Sequence, residues 1–294
     1  MISAQRGVTR KFVLAAIVLA AVASTTIGCT LATSNSSKQL GDATTTVITT
    51  ASPEPTATPV VLEPTSAPSM PGYRLAFDDE FIGTTLDPKR WNTGLPWGNT
   101  NRDEEQYYTP LALNQSGGLL TITASEQPTH GKPFSSGAVN TSGLFAFTYG
   151  YTEIRAQVPA GAGLWTAFWL LSTGPGTNQE TDVMEILGAD PSKGYAVLHF
   201  GTEANKGKWV GTYRDPDFSA GFHTFAIDWT PQYLVWYVDG VERYRVTQNV
   251  PSQPMYLITN LTVGGPASWS GAPDRYTLFP AQYKIDYVRV FQRN

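Results

Sequence analysis

Residues 223–246, "HTFAIDWTPQYLVWYVDGVERYRV", hold three apolar-rich runs separated by short polar breaks. "HTFAIDW", "LVWYVDG" and "VERYRV" read as the strands of two successive hairpins. The second closes through Asp239-Gly240, a pair suited to a two-residue turn whose central residues both need positive φ. Strands joined this way are antiparallel neighbours. The same pattern continues elsewhere in the chain. In "YTEIRAQV" (151–158), Thr152, Ile154, Ala156 and Val158 share one face while Glu153, Arg155 and Gln157 share the other. "LLTITAS" (119–125) alternates likewise, and "YKIDYVRVF" (283–291) supplies a last strand. No stretch keeps helical periodicity for more than two turns. The expected fold is all-β, an antiparallel two-sheet sandwich of roughly 220 residues running over 73–294.

Composition agrees with this. Charged residues are only 15% of the chain, low for a helical protein, whereas Gly, Pro and aromatic residues are plentiful. A formal net charge of −4, with Lys and Arg scattered singly in the C-terminal part, argues against nucleic acid as a partner. The first 29 residues read as an export signal. Arg6, Arg10 and Lys11 precede the apolar core "FVLAAIVLAAVAS", which is too short and Ala-rich for a membrane span. The single cysteine, Cys29, follows in "TTIGCT" and resembles a bacterial lipobox in which the thiol is lipidated. Thr26 stands where that motif usually has Leu, and an ordinary cleavage site is the alternative. Residues 30–72, rich in Ser, Thr and Pro, lack apolar periodicity and read as a disordered tether. These features imply an extracellular or cell-surface domain, monomeric and without disulfides, that is lipid-anchored if Cys29 is the lipobox cysteine.

Within "NQETDVMEILGAD" (178–190), Glu180 and Asp182 are two apart and share a strand face, but Glu185 is at an odd offset from both. A regular strand would turn Glu185 into the apolar interior that Val183 and Ile186 indicate, at high cost. One extra residue, a β-bulge at Val183-Met184, returns it to the face of Glu180. Two carboxyl groups about 5–5.5 Å apart on one surface provide a nucleophile and a proton donor for retaining glycoside hydrolysis. A calcium site or a solvated strand face remains open on spacing alone.

"ETDVME" is similar to the bulged Glu-x-Asp-x-x-Glu signature of glycoside hydrolase family 16, in its laminarinase-like branch. "FDDEF", "RWN", "EEQYYTPLALNQSGGLLTITA", "SSG", "YGYTEIRAQVPAGAGLWTAFWLL", "HTFAIDWTPQYLVWYVDG", "YLITNLTVGG" and "IDYVRVF" resemble that family in order across nearly all of 73–294. The resemblance implies a β-jelly roll with a concave cleft and an endo-acting, retaining hydrolase of β-1,3- or mixed β-1,3/1,4-glucan. Glu180 would then be the nucleophile, Glu185 the general acid/base and Asp182 the assisting acid. Trp165 and Trp169 would be sugar platforms in the cleft, with Trp97 and Trp269 at its rim. His199 is expected near the acid/base, contacting substrate or Glu185, and Asn101 is expected to bind hydroxyls. No catalytic cofactor is implied. A structural calcium is, with Glu80, Gly118 and Asp286 at the matching positions.

Three positions depart from the branch: Gln179 for Gly, Thr181 for Ile and Thr166 for Pro. They leave room for a galactan hydrolase of the same fold. A non-catalytic lectin-like sugar-binding domain is the alternative from another class, and the intact acids oppose it.

Overall fold

The computed structural model describes residues 70–174, 179–202 and 204–294. The expected signal segment, its Cys29 lipidation site and nearly all of the 30–72 tether lie outside the described residues.

Seventeen strands occur among the described residues. In chain order they are β1 (Tyr73–Asp79), β2 (Asn92–Thr93), β3 (Gln106–Tyr108), β4 (Leu113–Ser116), β5 (Leu119–Ala124), β6 (Phe134–Ser136), β7 (Ala138–Asn140), β8 (Gly150–Gln157) and β9 (Leu164–Ser172). There follow β10 (Glu180–Leu187), β11 (Lys193–Thr202), β12 (Asn205–Arg214), β13 (His223–Trp229), β14 (Leu234–Val238), β15 (Val241–Val246), β16 (Met255–Val263) and β17 (Ala281–Arg293). One 3₁₀ turn, Pro110–Ala112, is capped by the Thr109 side chain.

Two antiparallel sheets take up almost all of them. The front sheet runs β12-β11-β10-β9-β16-β7-β2, and the back sheet β15-β14-β13-β8-β17-β5-β4. β1 joins the back sheet on the same edge of the long β17 as β5, pairing with residues 288–293 where β5 pairs with 281–285. β3 and β6 form a small separate parallel pair.

Alternation in the sequence becomes burial in the structure. Thr152, Ile154 and Ala156 of β8 are fully buried while the residues between them are partly exposed, so one face packs on the front sheet. In the β14–β15 hairpin Val238 pairs with Val241, and Asp239 (φ 49°) and Gly240 (φ 75°) take the two left-handed positions that the turn requires. The interior between the sheets is filled by Phe225, Ile227, Trp229, Trp236 and Val288 from the back and by Phe168, Leu170, Met184, Leu198 and Leu257 from the front. A second, smaller apolar cluster of Leu95, Tyr108, Ala138, Tyr256 and Ile258 holds the 95–108 segment against the outer face of the front sheet. That segment becomes one wall of the site.

Candidate active site

The expected bulge is present. Asp182 pairs with Trp169 of β9 but Met184 pairs with Phe168, so Val183 is the residue left over on that side. On the other side Asp182 pairs with Val197 and Glu185 with Tyr195, so Val183 and Met184 together oppose Ala196. Val183, Met184 and Ile186 enter the core, whereas Glu180, Asp182 and Glu185 emerge on the outer face and line one cleft of about 240 Å³. The bulge is tied down from behind. Trp236, from the opposite sheet, donates its indole N–H to the Asp182 carbonyl at 2.8 Å inside the core.

The three acids have different surroundings. The Glu180 side chain is about a third exposed (32%), and His199 Nε2 lies 3.4 Å from it. Asp182 and Glu185 are buried. Burial raises the pKa of Glu180, and the charge of His199 works against that rise. Asp182 is held well above the usual carboxylate range, by burial first and then by the Glu180 charge. Glu185 is also well above it, through burial and the two neighbouring acids, with Trp165 and Lys208 opposing. Environment therefore separates the roles: Glu180, partly open and beside His199, gives up its proton most readily, and Glu185 keeps its own.

His199 corrects one expectation. It is paired across the strands with Glu180, its Nε2 also lies 3.5 Å from Asp182, and the residue opposite Glu185 is Tyr195. The tight β10–β11 connection sets this register, which sequence distance from Glu185 did not reveal. Among the described residues, Glu180, Asp182 and His199 form the one group with metal-ligand spacing, their atoms within 4.8 Å of one another.

Aromatic residues flank the acids on both sides. Trp169, across from Asp182, meets Trp97 with ring centroids 6.0 Å apart at 55°. At the Glu185 end Trp165 meets Trp269 at 5.3 Å and 88°, and Trp269 meets Tyr195 at 4.7 Å. Trp97 and Trp269 are about half exposed (51% and 48%), as rim positions would be. Asn101 lines the cleft and accepts the Trp97 N–H at 2.8 Å. Glu104, Asn260 and Thr262 also line the cleft and were not singled out in the sequence. Asn260 sits in β16, "MYLITNLTV", which is buried at every position and carries no alternation to mark its outer face.

The expected calcium ligands do not fit that ion. Both Glu80 carboxylate oxygens accept from Arg289, at 2.7 and 2.8 Å, and Asp286 is bound by Arg155. A guanidinium at each carboxylate brings positive charge where calcium would need oxygen donors alone. Gly118 has positive φ and, like Gly117 beside it, serves the β4–β5 turn.

Comparison with known proteins places this geometry. The profile of Glycosyl hydrolases family 16 matches residues 98–289. The chain is 34% identical over 259 residues to a Beta-glucanase of Rhodothermus marinus, covering 76% of this chain and 86% of that protein. It is 36% identical over 223 residues to Endo-1,3-1,4-beta-glycanase EglC of Rhizobium meliloti, covering 70% of this chain and about half (47%) of that longer protein. The laminarinase catalytic domain of Thermotoga maritima superposes with a TM-score of 0.67 at 32% identity, over 76% of this chain and 99% of that one.

Proposed function

The chain belongs to glycosyl hydrolases family 16, and from that premise we propose that it cleaves internal bonds of a β-1,3- or mixed β-1,3/1,4-glucan with retention of configuration. The observation that carries the reading is the bulged β10, which sets Glu180, Asp182 and Glu185 on one cleft floor between two aromatic corners. The ionised Glu180 attacks the anomeric carbon while the protonated Glu185 gives its proton to the glycosidic oxygen, so the C–O bond breaks and a glycosyl ester forms on Glu180. Water then attacks the same carbon as Glu185 takes its proton. The ester bond breaks and Glu180 is restored. Two inversions give net retention. Asp182, whose carboxyl burial holds well above the usual range, stands beside Glu180 on the same strand face and steadies it as its charge changes. The indoles offer flat apolar surfaces to sugar C–H faces. No cofactor enters the chemistry, and the arginine-paired Glu80 and Asp286 leave calcium out of this reading.

Export with lipidation at Cys29, tethering through 30–72 and action as a monomer complete the proposal. The basic-then-apolar N-terminus supports the first, the Ser/Thr/Pro composition the second, and a cleft formed wholly within one chain the third. The test incubates the protein with laminarin, lichenan, agarose and carrageenan beside Glu180→Gln and Glu185→Gln. Reducing ends from the glucans, lost in both variants, are expected. None from any polysaccharide would refute the hydrolase reading, and equal activity in the variants would refute the site.

A further inference from the structure

Glu104, only 8% exposed, lies beside the cleft, and its Oε1 and Oε2 are met only by donors. Asn101 Nδ2 donates to Oε1 at 3.2 Å, and Gln106 Nε2 and the Tyr108 hydroxyl donate to Oε2 at 2.6 and 3.3 Å. Two of these bonds lead on to an indole. On one side Asn101 accepts the Trp97 N–H at 2.8 Å. On the other, the Tyr108 hydroxyl accepts from Asn260 Nδ2 at 3.2 Å, and Asn260 Oδ1 accepts the Trp169 N–H at 2.9 Å. The backbone side is fixed as well: Lys132 donates to the Glu104 carbonyl, and Gln106 Oε1 accepts the Val263 N–H at 2.8 Å.

We infer that Glu104 is a positioning residue that locks Trp97 and Trp169 into a preformed corner and thereby sets the affinity for the sugar ring bound there. The inference rests on the glucan-hydrolase reading. A rigid corner matters because each unlocked indole must be ordered again on binding, which costs affinity. A carboxylate suits the centre because it accepts from every side at once, while an amide would present an NH₂ to at least one donor. Desolvation raises the pKa of Glu104 and its three donors oppose the rise, as expected for a buried hub.

The test measures kcat and KM on laminarin for the wild type, Glu104→Gln, Trp97→Phe and the double variant, well below their melting points. Trp97→Phe keeps a ring for stacking but removes the N–H that Asn101 accepts. Glu104→Gln is expected to raise KM about tenfold with a fall in kcat of less than about threefold, the scale of one weakened aromatic contact. Trp97→Phe alone is expected to raise KM about threefold and to add almost nothing when combined with Glu104→Gln, because both break one chain of bonds. A KM within about twofold of wild type for Glu104→Gln, or full additivity in the cycle, overturns the inference. If Glu104→Gln does not fold, Glu104→Asp, which keeps the charge but draws it back from its donors, replaces it in the same cycle and is judged the same way. A wild type that releases no reducing ends would instead remove the hydrolase reading, so the two failures are distinct.

Discussion

Trp236→Phe tests what holds the catalytic strand in its bulged register. The indole is 1% exposed and its N–H meets the Asp182 carbonyl at 2.8 Å. Phenylalanine fills most of the space but has no donor. Losing that buried bond costs about 0.5–1.5 kcal/mol, and the lost ring leaves a void worth about 1 kcal/mol. Together these predict a loss of about 1.5–2.5 kcal/mol, or roughly 3–10 °C in Tm for a domain of this size. The damage should also reach the chemistry. Asp182 sits between the two glutamates, and a displacement of about 1 Å at a reacting geometry can lower the rate by up to about a hundredfold. Thermal melts by circular dichroism give the first quantity, and initial rates on laminarin, measured well below the melt, give the second. A Tm within about 2 °C of wild type together with an unchanged kcat would refute the reasoning.

Other outcomes follow from the same geometry. The kcat/KM profile should be a bell displaced above the range of two ordinary carboxylates, since burial raises both Glu180 and Glu185. His199→Ala removes the charge that holds Glu180 down, so the acidic limb should move to higher pH, and an unmoved limb would contradict the pairing. Because the folded pKa of Glu185 is raised, its favourable protonated state is fully present below the unfolded value of about 4.3 and is lost as pH rises through the folded one. Glu185→Gln should therefore melt higher than wild type at neutral pH, with the gap closing near pH 4 (about the unfolded value), even as activity disappears. Arg289→Met strands the Glu80 carboxylate and should cost about 2 kcal/mol, discounted for its partial exposure. Calcium or a chelator should leave the wild-type Tm unchanged, and a rise of several degrees with calcium would restore the expected metal.

Much of this was legible in the chain because strands with one buried face announce themselves. The burial of Thr152, Ile154 and Ala156 follows their spacing, and Asp239-Gly240 forms the turn its residue types require. The bulge was legible for a different reason: only an added residue keeps Glu185 out of the core, and Val183 is where it appears. What sequence spacing did not contain was register between distant strands. His199 faces Glu180 because of where β11 begins, and Asn260 reaches the cleft from a strand with no polar alternation. The same limit explains the calcium ligands. Arg289 and Arg155 meet Glu80 and Asp286 across sheet neighbours that sequence position does not name. Glu104 lay in the acidic run "NRDEEQYY", and only its burial distinguishes it from the exposed Asp103 and partly exposed Glu105 beside it.

The most direct test is to trap the covalent intermediate. A 2-deoxy-2-fluoro glucosyl fluoride carrying a β-1,3-linked glucose slows the second step, so the sugar stays on the nucleophile and is located by peptide mass spectrometry. The label is expected on Glu180, in the peptide that contains "ETDVMEILGAD". A label on Glu185 or on a residue outside the cleft would contradict the assignment of the nucleophile.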